Sequence, residues 1–411
     1  MKRILIRNIA HLYGILPAGI ERLQGKEMAH VEKIDDAWLS IEGGRIIDFG
    51  PMSSLPYTTF DEVIDAEGGT LMPCFCDPHT HLVYAGSREQ EFVDKIQGLS
   101  YAEIAQRGGG ILNSVDLLHR LSEEELFEQA MRRMEEIEAK GTGCIEIKSG
   151  YGLSTEDELK ILRVIRQIGQ SSRVKVVSTF LGAHAVSRNY RGRQGDYVRL
   201  VIDEMIPTVG REQLADYIDV FCDQGFFTPE ETARILEAGA RYGMRPKIHA
   251  DELAPSGGVR VAVEHNALSV DHLESMPDDE IDLLLGTATM PTCLPGTSFF
   301  LNMPYAHARR MIDRGLGIAL ASDYNPGSTP SGDMKFVFSL GCIKLRLLPE
   351  EAFNAVTINA AYAMGLSQEY GSITRGKVAH LIITYPIPSL AFIPYAYTSP
   401  IIRQVILKNI L

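Results

Sequence analysis

TLMPCFCDPHTH, residues 70–81, is a strand-like run that closes on two histidines one residue apart. In an extended strand side chains alternate between faces. Phe75, Asp77, His79 and His81 then share one side, and Cys74 and Cys76 point the other way toward helices, if the strand persists that far. Two imidazoles so spaced can grip one ion, and neutral histidine is a common metal ligand. A bare His-x-His says little until its distant partners are found.

Working outward, seven further apolar or β-branched runs follow: GCIEIKSGYG, VKVVSTFLGAH, YIDVFCDQGFF, PKIHADEL, LSVDHLES, TATMPTCLPG and GIALASDYNPG. Between the eight runs lie segments of helical period such as SEEELFEQAMRRMEEIEAKG and TEDELKILRVIRQIGQ. Eight is the number a closed parallel barrel needs, and such barrels carry their chemistry at the carboxyl ends of the strands. His249 closes the fifth run, His272 the sixth and Asp323 the eighth. Taken singly, each histidine reads as a hydrogen-bonded group near the core. At strand ends of one barrel, beside His79 and His81, they read as a metal site.

Both ends of the chain are patterned differently. AWLSIEGGRIIDFG carries a Gly43-Gly44 hairpin signal, and GSITRGKVAHLIITYP and IIRQVILKNIL read as strands. The expected fold class is α/β. A (β/α)8 TIM-like barrel spans 71–360, and a small β-sandwich domain is built from both termini, 1–70 and 361–411.

A length of 411 residues suits one barrel of roughly 250 residues with a satellite. Hydrophobic content of 45% with 23% charged residues is that of a soluble globular protein. Forty Lys plus Arg against 53 Asp plus Glu leave a formal charge of -13, which opposes nucleic acid and anionic membrane as partners. Salt screens that field within about 8 Å, so a local arginine can still hold a small anionic substrate. The six cysteines lack disulfide-scaffold spacing, and neither a secretory leader nor an apolar stretch of about 20 residues is evident. A cytoplasmic protein with reduced thiols is expected, and a homodimer is the default assembly. The run Arg107 to Gly110 lacks the ending of a P-loop and reads as a loop near the barrel mouth, so nucleotide binding is not expected.

Three histidines and a carboxylate leave one coordination position open. A catalytic site of that kind lowers the pKa of a water from about 15.7 toward ~7. The expected ligands are His79, His81, His249 and Asp323. His272 is placed just outside, holding the water or a substrate oxygen, because Asp323 already completes the set.

DPHTH, a fifth-strand histidine, a sixth-strand histidine and an eighth-strand aspartate together resemble the amidohydrolase superfamily of metal-dependent barrels, which hydrolyse amide, lactam or amidine C–N bonds. Within it, DPHTHLVYAGSR, GGGI, EIKSGYGL, TFLGAHA, KIHADEL, VDHLES and SDYNPGS are similar to the cyclic-amide hydrolases of histidine breakdown, and the likeness runs over nearly the whole chain. The resemblance implies one divalent or trivalent metal ion per subunit, zinc or iron. The implied reaction is hydrolysis of the ring C–N bond of 4-imidazolone-5-propanoate to N-formimidoyl-L-glutamate.

The same resemblance assigns substrate contacts, each with a plainer reading beside it. Arg88 would hold the propionate carboxylate, against an ion pair with Glu89 or Glu91. Tyr151 and His184 would touch ring and carboxylate, against packing roles. Glu252 would contact substrate and move a proton, against serving as first-turn acid of the next helix. Asn325, Gly327 and Ser328 would offer hydrogen bonds, against a plain turn. Asp323 as proton acceptor and His272 as a prop for the oxyanion complete the catalytic set with Glu252.

Strand four, DVFCDQGFF, offers Cys222 and Asp223 but no lysine to bridge two metals, so one ion is expected, and Lys148 on strand two reads as an ion-pair residue. Cys74, Cys76, Ser187 and His380 depart from the family pattern without touching these residues. Two other functions fit less well. An aminohydrolase acting on a neutral nucleobase would share the metal set but need no carboxylate clamp, and a dead barrel serving as an interaction protein would lack a ligand or Glu252.

Overall fold

The computed structural model of the chain describes residues 2–99 and 110–407, so of the run Arg107 to Gly110 only the last glycine lies among the described residues. Five strands precede the barrel: β1 (Arg3–Ile15), β2 (Glu32–Glu42), β3 (Arg45–Pro51), β4 (Glu62–Asp65) and β5 (Thr70–Pro73). The barrel follows with β6 (Phe75–Asp77), β7 (Thr142–Lys148), β8 (Lys175–Ala183), β9 (Tyr217–Cys222), the short β10 (Arg245–Pro246), β11 (Ile248–Ala250), β12 (Ser269–His272), β13 (Met290–Cys293) and β14 (Ala319–Leu320). Two more strands, β15 (Leu381–Thr384) and β16 (Ile402–Ile406), lie near the end.

Strands β6 to β9 and β11 to β14 pair in sequence order, all parallel, with β10 alongside β9. The ring closes between its first and last members. Thr80 bridges Tyr324 in parallel, the Asp323 N–H donates to His79 O at 3.0 Å, and the Ser322 N–H donates to Asp77 Oδ1 at 3.0 Å. Each of the eight runs read from the sequence supplies one barrel strand. Every residue of β7 is buried, as expected where helices cover the outside and side chains fill the inside. Ile145 and Ile147 belong to the large apolar cluster, while the intervening Glu146 and Lys148 are buried charges.

The helices form where the sequence places them. Ser122 and Glu125 make a reciprocal cap for Glu123–Ala139, and Ser154 caps Thr155–Ser171. Leu126, Ala130, Met134 and Ile137, on one stripe of the first of these, are buried against the barrel. Among the described residues no helix is long and apolar enough to cross a membrane.

The run 70–81 departs from its reading as a single strand. Its first four residues, β5, pair with β1 and β15 in the other sheet, and only Phe75–Asp77 enter the barrel. Between them the Cys74 N–H donates to His380 O at 2.9 Å. The shared face expected for Phe75, Asp77, His79 and His81 required the strand to persist to His81, and it ends at Asp77. Cys76 pairs in register with Cys144 and both belong to a small cluster with Met290 and Ala319, whereas Phe75 packs in the large cluster. Pro78 carries no N–H to continue the ladder, so the strand stops at Asp77 and the histidines are set by the turn that follows.

Strands of both termini meet in one mixed sheet of order β16-β15-β5-β1-β2-β3, with β4 on β1. Gly43 and Gly44, at φ 57° and 75°, make the tight β2–β3 turn that only glycine enters without strain. Alternation then divides the side chains. Leu71, Leu381 and Ile383 pack in the sheet's own core with Ile4, Ile6 and Leu39, while Met72 and Ile382 face the barrel cluster.

Candidate active site

Four imidazoles converge at the carboxyl ends of β6, β11 and β12. The ring centre of His79 lies 4.4 Å from that of His249, 5.3 Å from His81 and 5.4 Å from His272, and His249 lies 5.5 Å from His81 and 5.3 Å from His272. Asp323, three residues past β14, brings Oδ1 to 3.7 Å from His79 Nε2 and 3.6 Å from His81 Nε2. Ligand atoms of His79, His81 and His249 all lie within 4.8 Å of one another, and so do those of His79, His272 and Asp323. Nε2 of His79 is buried without a hydrogen-bond partner. A lone pair facing a gap between other nitrogens and a carboxylate is suited to a cation, so these residues fit a metal ion.

The rings are held from behind. Asp271 Oδ2 takes the Nδ1–H of His79 at 2.7 Å, and Asp219 Oδ2 lies 2.9 Å from Nδ1 of His249. The Asp271 bond fixes the His79 tautomer that leaves Nε2 free, whereas Asp219 sets its charge against His249 without a hydrogen bond to Nδ1, and His249 Nε2 lies 3.4 Å from His81 Nε2. Burial, aided by Lys148 and the neighbouring imidazoles, keeps His79 well below its ordinary pKa, and burial with His184 does the same for His81. Both remain neutral, the form that binds a metal.

Asp323 and His272 adopt left-handed backbone, at φ 56° and 84°. Strain of this kind costs on the order of 1–3 kcal/mol per residue and concentrates at functional sites. Asp323 is locked by its surroundings. Its Oδ2 accepts from Thr297 Oγ1 at 2.7 Å and Ser328 Oγ at 2.9 Å, and its carbonyl accepts Asn325 Nδ2 at 2.7 Å, leaving Oδ1 toward the histidines. His272 sits between two glutamates, Nε2 3.7 Å from Glu252 and Nδ1 3.4 Å from Glu274. Burial opposes its charged form, yet those carboxylates outweigh burial and raise its pKa well above normal.

Glu252 follows β11 on a loop tied to β9. Asp223 accepts the backbone N–H groups of Glu252, Leu253 and Ala254 at 2.8, 3.0 and 3.3 Å. The next helix begins only at Gly258, so Glu252 lies outside its first turn and the capping alternative falls away. Burial pushes its carboxyl up to about 7, with His272 pulling the other way.

These groups open onto a cavity of about 390 Å³, the size of a small-molecule site. Eleven of the twelve residues nominated from the sequence line it, His79 lying beneath. Arg88 stands just before the helix Glu89–Ile96. It pairs with Glu91 at 2.6 Å, keeps a buried, unpartnered Nε, and lays Nη1 against Gly327, where any side chain would overlap it. It is thus both an ion-pair partner and a wall of the cavity. His184 gives its Nδ1–H to Gly150 O at 3.0 Å, which leaves Nε2 free, and its ring stacks on His81 at 5.0 Å. Burial and His249 push it down to about 3, so it stays neutral. Tyr151 is buried 5.5 Å from the His184 ring. The side chain of Asn325 is spent inside its own loop, accepting the N–H groups of Gly327 and Ser328 at 2.8 Å each and donating to Ser328 Oγ at 2.6 Å.

Two sets of residues escaped the sequence reading. Lys95 lines the cavity and donates to Gly327 O at 3.2 Å. It falls seven residues after Arg88, two helical turns, and that spacing was its signal. Asp219, Asp271, Glu146 and Lys247 are buried charges in and beside the barrel strands, and ionisable residues inside β-branched runs were the mark they left.

A parallel barrel whose carboxyl rim gathers three histidines and an aspartate defines an amidohydrolase. The Amidohydrolase family model matches residues 223–403. Solved structures agree on the fold: a triazine hydrolase variant superposes with a TM-score of 0.76 at 14% identity, over 100% of this chain and 94% of that one. An adenosine deaminase from Xanthomonas campestris with bound zinc gives 0.71 at 16%, over 99% and 92%. The imidazolonepropionase of Christiangramia forsetii is 52% identical over 406 residues, 99% of each chain. The chain belongs to the imidazolonepropionase family.

Proposed function

We infer that the protein hydrolyses 4-imidazolone-5-propanoate to N-formimidoyl-L-glutamate, opening a cyclic amide during histidine breakdown. The observation that carries this reading is the pairing, in one cavity, of a cation-ready histidine cluster with a cationic wall. Arg88 and Lys95 both line the pocket, and Glu91 is the carboxylate on Arg88. A propionate tail is the second anion that this wall can accept, whereas a neutral nucleobase has none to offer. The anionic substrate is thus selected by charge on one side and reacts on the other.

Zinc or iron suits the imidazole and carboxylate donors, and when bound such an ion supplies Lewis-acid activation of water and of a carbonyl. The chain's own groups do the rest. Asp323, with Oδ1 facing the histidines, takes a proton from the attacking water. A carboxyl pushed up to about 7, as Glu252 is, can carry that proton to the ring nitrogen as its bond to the carbonyl carbon breaks. His272, held protonated between Glu252 and Glu274, donates to the oxygen on which charge develops. One water is consumed and the ring nitrogen leaves as part of the formimidoyl group. All six cysteines are free, and a reducing cytoplasm as the place of action fits that state.

The test is metal analysis of the purified protein together with two assays, ring opening of imidazolonepropionate and ammonia release from cytosine or guanine. Ring opening by metal-loaded protein is expected. Ammonia release without ring opening would replace this reading by the nucleobase one. Asp323→Asn should lower kcat by at least about 10²-fold while the melting temperature stays close to wild type, because shape is kept and proton acceptance is lost. Normal turnover in metal-loaded D323N would remove Asp323 from the mechanism.

A further inference from the structure

Below the histidine cluster the barrel holds a closed group of charges with no exposure at all. Lys148 Nζ lies 2.8 Å from Glu146 Oε1, 2.8 Å from Asp219 Oδ2 and 3.5 Å from Asp271 Oδ2. In both aspartates the oxygen that faces Lys148 is the one that faces a histidine: Asp219 Oδ2 lies 2.9 Å from His249 Nδ1, and Asp271 Oδ2 takes the Nδ1–H of His79 at 2.7 Å. The remaining oxygens are fixed as well. Asp219 Oδ1 accepts the His249 backbone N–H at 3.1 Å and Asp271 Oδ1 accepts Ser269 Oγ at 2.6 Å. Lys247 balances Glu146 on the far side and donates to Pro78 O at 3.0 Å, next to His79.

We propose that Lys148 is a positioning residue of the cation site: one ammonium fixes the two carboxylate oxygens that orient His79 and His249, and so couples ligands carried by opposite parts of the barrel. It goes beyond the ion-pair role that the sequence suggests, and it rests on the reading of the histidine cluster as a metal site. Two effects oppose each other. Lys148 holds the rings in place, which favours metal, while its positive charge repels a cation. The geometry gives the first the larger share, because each shared oxygen has no other cation within ion-pair distance among the described residues. Without Lys148 each carboxylate keeps one anchor, the His249 N–H or Ser269 Oγ, and loses the cation that holds the oxygen facing its imidazole.

The experiment is zinc binding to the folded, metal-stripped full chain, measured by competition with a chromogenic chelator. Lys148→Met should weaken zinc about 10- to 100-fold. At saturating zinc its kcat should recover toward wild type with KM unchanged, a split that a general loss of stability would not produce. Affinity in K148M equal to or tighter than wild type overturns the proposal. If K148M does not fold, the double variant K148M/D219N keeps the buried charge sum and stands in for it. It should bind zinc more weakly than D219N alone, because the His79 arm is loosened too, and binding equal to that of D219N overturns the proposal. Failure of wild type to bind zinc or iron at all would instead remove the metal reading on which this rests.

Discussion

On the proposed mechanism, Glu252 is the residue whose protonation sets the pH range of the reaction. Burial pushes its carboxyl up to about 7, and the neighbouring protonated His272 acts in the opposite direction. It must be ionised to receive a proton, so kcat/KM should fall as pH drops below that value, tenfold per unit once Glu252 is largely protonated. A bound cation favours the carboxylate and moves this limb lower, never higher. Glu252→Gln should cost about 10²- to 10⁴-fold in kcat and lose the limb, as a pH profile of the metal-loaded variant would show. A wild-type profile in E252Q would leave Glu252 without a proton-transfer role. At this scale the sequence was most readable where chemistry needs a rare residue at a strand end. His79, His81, His249, His272 and Asp323 stand out because nothing about packing calls for them there. Asp219 and Asp271 were harder to see, since a carboxylate behind a histidine has no motif of its own and is known only once the ring in front of it is placed.

The short helix Glu89–Ile96 shows how one element presents two charges to the cavity. Arg88 stands at its cap and Lys95 two turns on, both against Gly327, and Phe92 stacks on Phe300 at 5.3 Å to pin the helix. The two side chains should differ in effect. Arg88→Ala removes a charge-assisted, bidentate-capable group and should raise KM by about 10- to 100-fold, or roughly 1.5–3 kcal/mol, with little change in kcat. Lys95→Met keeps the alkyl chain and should raise KM less, because a single partly exposed ammonium offers fewer hydrogen bonds than a guanidinium. Steady-state kinetics on the two variants decides the matter, and a change in kcat with KM untouched would return these residues to structural roles. Elements were legible to the extent that periodicity declared them, as with the helices Glu123–Ala139 and Thr155–Ser171. The split of residues 70–81 between two sheets was not, because Pro73 and Cys74 sit in an apolar run whose composition suits either sheet, and only tertiary pairing with β15 and β7 divides it.

The whole molecule is a closed ring fastened to a sheet made from its own two ends. The side chains of Met72 and Ile382, in paired strands of that sheet, pack into the barrel core, and the Cys74 N–H donates to His380 O at 2.9 Å. With so much shared core, heating should melt sheet and barrel in one transition. The candidate ligands add a second fastening. His79 and His81 follow the first barrel strand and Asp323 the last, so one ion held among them ties the seam at which the barrel closes. The unfolded chain scatters these groups and has little affinity, so ion binding stabilises the native state by RT ln(1 + [L]/Kd), about 4 kcal/mol at a thousandfold excess over Kd. Exhaustive chelation should lower the melting temperature by roughly 5 °C without splitting the transition, and added zinc or iron should restore it in a concentration-dependent way. A melting temperature indifferent to chelator would mean that no ion spans the seam. Two transitions after chelation would mean that the terminal sheet stands by itself and that the shared core of Met72 and Ile382 contributes less than its burial implies.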